Sequence, residues 1–173
     1  MKNKKTITLS LLAGLLAVNS AIYANETFSY TGVNILNADD DIVGSAIGAK
    51  LYSDYFTTFE SSFMLGVEGH LTYLGQPEAN GVEYTQFAIG ASLLAGYDFD
   101  WIKPYGSIGY SYWGAEASTS FSDVRDTGGT LSYGVGAFIP LGDSFALSAD
   151  YIHFNEIAGS GIDVFSVGIA LSF

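Results

Sequence analysis

The sequence predicts an all-β chain, an eight-stranded antiparallel up-and-down transmembrane β-barrel, and three observations predict it. Apolar residues alternate with small or polar ones at period two over most of the chain. The alternating segments number eight and run about ten residues each, the length that crosses a bilayer at a tilt. Their connectors are alternately short and long, as in barrels with tight turns at one end and loops at the other. Composition agrees: 21 glycines among 173 residues disfavour a helical bundle, and 49% hydrophobic with 15% aromatic residues is far from a disordered composition.

The N-terminus reads as an export signal. Lys2, Lys4 and Lys5 precede an apolar run from Ile7 to Val18, and Ala24 follows as a small residue suited to cleavage. The run is too short to span a bilayer comfortably. Residues 1–24 are therefore expected to be a signal peptide and 25–173 the barrel domain, although Ile22 departs from a small residue at the −3 position. Cleavage removes three of the six basic residues and none of the 18 acidic ones, giving 3 − 18 = −15. Such a surface repels nucleic acid. With no cysteine there is no disulfide, thiolate metal site or thiol nucleophile.

The strands follow in order. Segments near 27–36 and 43–55 are the first two, less regular than the rest. In 59–73, Phe59, Phe63, Leu65, Val67, Leu71 and Tyr73 share one parity, against Glu60, Ser62, Met64, Gly66, Glu68, His70 and Thr72. In 84–98, Phe87, Ile89, Leu93 and Tyr97 oppose Gln86, Ala88, Gly90, Ser92 and Gly96. A fifth strand falls near 102–113. The sixth, 130–139, sets Leu131, Tyr133, Val135 and Ile139 against Ser132, Gly134 and Gly136. The last two, 144–154 and 163–173, place Phe145, Leu147, Tyr151, Phe165, Val167, Ile169, Leu171 and Phe173 on the apolar face. Thr57-Thr58, Asp98–Trp101 and Pro140–Asp143 are the expected short turns. Asn37–Asp41, Leu74–Gly81, Gly114–Gly129 and Asn155–Ile162 are the expected outer loops, with both termini periplasmic.

A soluble antiparallel sandwich would alternate too. Here the non-apolar face is mostly Gly, Ala and Ser, which suits the crowded lumen of a small barrel. Lipid also demands closure, because an open edge leaves backbone groups unpaired. Aromatics lie toward strand ends: Tyr30, Tyr55, Phe59, Tyr73, Tyr97, Trp101, Tyr110, Tyr112, Trp113 and Phe173. They are expected to form two interfacial girdles.

The final strand, with Ser166, Gly168, Leu171 and Phe173, resembles the C-terminal assembly signal of bacterial outer-membrane proteins. The resemblance implies recognition by the barrel-assembly machinery. Ile102–Tyr110 and Tyr133–Ala137 resemble the fifth and sixth strands of the small OmpA/OmpX-like family. The expectation is a barrel alone, without a peptidoglycan-binding domain, set among outer-membrane lipid and lipopolysaccharide as a monomer. OmpX/Ail-like adhesins bind partners through loops, often with basic patches, and this chain has no such patch.

Candidate sites are few. Lys50, Glu60, Glu68, Lys103 and Asp150 have lumen parity and are expected to form interior ion pairs that plug the barrel, since a buried charge needs a partner. The alternative is a narrow porin-like channel. His153, of lipid-facing parity, lies in His153-Phe154-Asn155, slightly similar to the His-x-Ser-Asn motif of outer-membrane lipid A deacylases. Asn155 stands where that family has serine and cannot be a nucleophile, while Ser160 does not match the spacing. No catalytic residue, metal site or cofactor is expected, and the lipid-modifying reading ranks last. Asp39-Asp40-Asp41 lacks the spaced ligands of a calcium loop and reads as a solvated loop. Loop 114–129, with Ser118, Thr119, Ser120, Ser122, Asp123, Arg125 and Asp126, is the expected site of any surface partner. A structural or surface-interaction role is the favoured function.

Overall fold

The computed structural model describes residues 26–40, 44–79, 82–118 and 123–173, so the expected signal peptide, residues 1–24, lies outside the described residues. The period-two pattern resolves into strands β1 (Glu26–Asp40), β2 (Gly44–Thr58), β3 (Phe63–Gly75), β4 (Glu78–Ala79), β5 (Val82–Tyr97), β6 (Lys103–Ser118), β7 (Asp123–Pro140), β8 (Phe145–Ile157) and β9 (Ser160–Ser172). Consecutive long strands pair antiparallel, β3 pairs β5 directly, and the two-residue β4 pairs only β5. Closure comes from β1 against β9, in register from Tyr30↔Ser172 to Asp40↔Ile162. Eight long strands thus form a ring without a free edge, the arrangement that leaves every strand paired on both sides.

The exterior and interior are inverted relative to a water-soluble protein. Ile35, Leu71, Ile89, Ile108, Val135 and Ile169 point outward with 48–68% of their surface exposed. Lys50, Asp54, Glu68 and Asp150 point inward and are at most 4% exposed. An apolar exterior around a charged interior is stable only where the surroundings are lipid.

The long strands span 13 to 18 residues, more than the expected ten. The extra length lies in segments read as loops. In 114–129, β6 continues to Ser118 and β7 begins at Asp123, with Glu116 opposite Arg125. The reason is that strand pairing outlasts the apolar band. Beyond the lipid the outward residues turn polar, alternation ends, and the hydrogen-bonded ladder goes on. Segment 155–162 is likewise a tight hairpin, turning on Ala158 (φ 52) and Gly159 (φ 89). Two successive positive φ angles match the twist of antiparallel strands. At the other end, the turn after β2 occupies 59–62 and not Thr57-Thr58, because β2 runs through Thr58.

Two apolar clusters fill the interior. Near the end bearing Glu26 and Ser172, Tyr30, Tyr52, Phe56, Met64, Leu94, Tyr105 and Phe138 pack together, with the Phe138 ring stacked 4.3 Å from Tyr30 and 5.4 Å from Tyr105. Toward the opposite end, Leu36, Leu74, Trp113, Ile152, Phe154, Ile162 and Val164 form the second cluster. Tyr30 and Trp113 are therefore lumen residues, 3% and 9% exposed, and not girdle members. Trp113 fits inside because its β7 neighbour is Gly128, where a Cβ would come within 2.6 Å of the indole.

Candidate functional site

Between the two apolar clusters lies a polar belt. β2 carries Lys50 inward, β3 carries Glu68 and His70, and β8 carries Asp150. The Lys50 Nζ donates to Glu68 Oε2 at 2.8 Å and to Asp150 Oδ2 at 3.2 Å. Asn34 Nδ2 donates to the same Asp150 oxygen at 3.2 Å and to Ser166 Oγ at 2.7 Å. Ser148 Oγ donates to Asn34 Oδ1 at 2.6 Å. On the other side of Glu68, His70 Nδ1 lies 2.9 Å from Glu68 Oε1, and His70 Nε2 lies 3.0 Å from Ser111 Oγ. One chain of bonds thus ties six strands across the lumen, from Ser111 on β6 to Ser166 on β9. Charge-assisted bonds of this kind offset the cost of burying the ions, and they do so only while every partner is present.

Of the five residues expected as lumen ion pairs, Lys50, Glu68 and Asp150 meet in this belt. Glu60 does not enter the lumen: it sits exposed in the 59–62 turn. The displacement follows from the strand end, since β2 runs to Thr58 and the alternation apparent in 59–62 belongs to turn residues. Lys103 is separate from the belt as well. It pairs with Asp98 at the short-turn end and lies over the Phe28 ring at 4.7 Å. Asn34, Asp54, His70, Ser111 and Ser148 are belt members that sequence reasoning missed as such. Their lumen parity with Lys50, Glu68 and Asp150 was available as a signal. The cross-strand register that brings them together was not.

The series Ser111–His70–Glu68 has the bond order of a nucleophile, a base and an orienting acid, which the sequence order does not suggest. Ser111 is 0%, Glu68 4% and His70 5% exposed, and a Cβ on the neighbouring Gly90 would come within 2.3 Å of Ser111 Oγ. No acyl group can approach such a serine, so the series braces β3 against β6. Among the described residues no group of three His, Cys, Asp or Glu side chains is placed to hold a metal ion. Asp54 adds a third carboxylate to the interior, and neither of its oxygens has a hydrogen-bond partner.

A second polar group faces outward at the long-hairpin end. His153 Nδ1 lies 2.7 Å from Asp163 Oδ1, and Tyr151 donates its hydroxyl to the same oxygen at 2.6 Å. The Tyr133 ring packs 5.1 Å from the imidazole. Asp163 was not singled out from the sequence, because it lies on the next strand and meets His153 only through the β8–β9 register. Asn155 is exposed, and Ser160 is buried with its hydroxyl bonded to Gly161 O at 3.2 Å. The His–Asp pair is present without a serine in its bonded set.

The final strand places its four marked residues differently. Ser166 is buried in the belt, and Gly168 opposes Asn34 and Ser148. Leu171 and Phe173 face outward. In the acidic run, Asp39 accepts a bond from Ser45 Oγ at 2.8 Å, Asp40 is buried near Gln86, and Asp41 lies outside the described residues. Thr119, Ser120 and Ser122 of the expected surface loop lie outside them as well.

A closed antiparallel ring with an apolar exterior and a charged interior defines a transmembrane β-barrel. The chain belongs to the family described as outer membrane protein beta-barrel domain, whose model matches residues 8–173. Its location as a family member is the outer membrane. No curated protein matches the sequence. Among solved structures, it is similar to Ail, the attachment invasion locus protein of Yersinia pestis, at 15% identity and a TM-score of 0.64, covering 85% of this chain and 97% of that one. Neisserial surface protein A is similar at 19% identity and 0.58, over 85% and 97%. OprG from Pseudomonas aeruginosa follows at 10% identity and 0.57, over 87% and 97%. At these identities the likeness shows the fold.

Proposed function

We propose that the protein is a sealed barrel that acts through its place in the envelope and through its exposed rim, as a structural or surface-interaction protein and not as a channel or an enzyme. In this reading the export signal is removed, the assembly machinery recognises the last strand, and the 59–62, 98–102 and 141–144 turns face the periplasm. The longer hairpins face outward. The observation that carries the reading is the order of layers along the lumen: apolar cluster, bonded ionic belt, apolar cluster. A permeating ion would have to pass both apolar clusters and break the belt.

The rim also limits the partner. Beyond residue 25 the chain has three basic side chains, and each is neutralised: Lys50 by Glu68 and Asp150, Lys103 by Asp98, and Arg125 by Glu116. One solved form of Ail holds the heparin analogue sucrose octasulfate. This chain offers no comparable positive field for a polyanion. The test is single-channel recording of refolded protein in planar bilayers, beside a gel showing the unboiled, compact species. The expected trace is flat. Stable, reproducible steps from compact protein would overturn the reading.

A further inference from the structure

The outward group at Tyr133, Tyr151, His153 and Asp163 is not explained by the sealed lumen. It sits where the exterior changes character. Below it on the same outward rows stand Val135, Phe165 and Val167, all strongly exposed and apolar; above it stand the exposed Asn155 and Glu156. The group is organised. Asp163 Oδ1 takes both the Tyr151 hydroxyl and the His153 Nδ1, which fixes the imidazole plane and leaves Asp163 Oδ2 and His153 Nε2 without hydrogen-bond partners among the described residues. Tyr133 flanks the imidazole at 5.1 Å with an interplanar angle of 39°. On its other side the ring lies beside Gly161, which has no side chain; a Cβ there would be in van der Waals contact, 3.4 Å from His153 Cε1. The result is a trough walled by rings, with a free carboxylate oxygen and a free ring nitrogen at its mouth.

We infer that this trough binds the sugar headgroup of a glycolipid in the leaflet at the long-hairpin end. The chemistry selects that occupant. A free carboxylate oxygen accepts bonds from hydroxyl groups, and exposed aromatic faces pack on the C–H faces of a sugar ring. A phosphate is disfavoured by the Asp163 carboxylate. The acyl chains of a glycolipid would lie along Val135, Phe165 and Val167, continuous with the lipid-facing belt. The inference rests on the reading that this end faces outward, but its test does not depend on orientation.

The chain has two histidines, His70 and His153, so imidazole-labelled protein gives two NMR reporters, one sealed in the lumen and one at the trough. Refolded full barrel in detergent micelles is titrated with rough lipopolysaccharide, and in parallel with phosphatidylglycerol and phosphatidylethanolamine. The expected result is a saturable shift of the His153 signal with lipopolysaccharide alone and an unmoved His70 signal. Asp163→Asn should raise the half-saturation concentration about tenfold, the effect of losing one charge-assisted hydrogen bond. Gly161→Leu, which lays a side chain against that side of the ring, should abolish the shift. An unmoved His153 signal, or equal shifts with sugar-free lipids, would overturn the inference. So would an Asp163→Asn variant that binds as the parent does. Each variant is run unboiled on a gel, so that a lost response is read only from compact protein; a compact parent barrel without a response sinks this site and leaves the sealed-barrel reading standing.

Discussion

Replacing Lys50 by methionine removes the ammonium from the centre of the belt while keeping a side chain of similar length. Two contacts are lost, at 2.8 Å to Glu68 and 3.2 Å to Asp150, and both carboxylates stay buried. Lys50 itself is 1% exposed, so solvent screening does not soften the loss. Breaking a buried ion pair by removing one partner costs about 3–5 kcal/mol. That is a large part of the roughly 5–15 kcal/mol that keeps a domain folded. The assay is urea unfolding of the barrel in phospholipid vesicles, followed by tryptophan fluorescence. Trp113 lies in the lumen and Trp101 outside it, 70% exposed, so the signal reports both surfaces. Glu68→Gln alone should also destabilise, but by about 1–3 kcal/mol less when Lys50→Met is already present, because the two residues share one interaction. A Lys50→Met barrel within about 1 kcal/mol of the parent, the magnitude of a surface pair, would refute the argument that the belt is dry and mutually dependent. Strict additivity of the two substitutions would refute it equally.

Two further predictions concern the backbone. Gly168→Ala would put a Cβ 2.0 Å from Val33 O and 2.3 Å from Asn34 Oδ1, so the β1–β9 seam must shift. Refolding from urea into lipid vesicles, with no assembly machinery present, should give little compact species on an unboiled gel, whereas a glycine needed only for recognition would refold normally. Ala158 holds φ at 52° in the β8–β9 turn, a conformation that costs an L-residue other than Asn or Gly about 1 kcal/mol. Ala158→Asn should therefore raise stability by roughly 0.5–1 kcal/mol, read as a higher urea midpoint with unchanged slope; a lower midpoint would contradict the turn assignment.

The lipid-facing rows were legible in the sequence because lipid imposes a strict apolar requirement on every second residue. Leu71, Ile89, Val135 and Ile169 satisfy it without reference to any other strand. The strand ends were less legible. Glu116 and Arg125 stand outside the apolar band, and nothing in their local pattern separates a continuing ladder from a loop. Glu60 shows the reverse error, in which a turn of 59–62 happens to keep the strand's parity. Tyr30 and Trp113 show a third. An aromatic near a strand end suits an interface, but parity and the room made by glycine partners such as Gly128 send these two inward.

By itself the sequence determined that the chain closes into a barrel, which faces of its strands meet lipid, and that charges such as Lys50, Glu68 and Asp150 point inward. Those properties follow from period-two alternation, which is local. Only the tertiary structure decided which of the inward charges meet, that Asp163 orients His153, and that the belt lies between two apolar clusters. These depend on register and stagger between strands far apart in the chain, as with Asn34 and Ser166 or Lys50 and Asp150. A shift of two residues in one pairing would leave every alternation intact and break the contacts made across it.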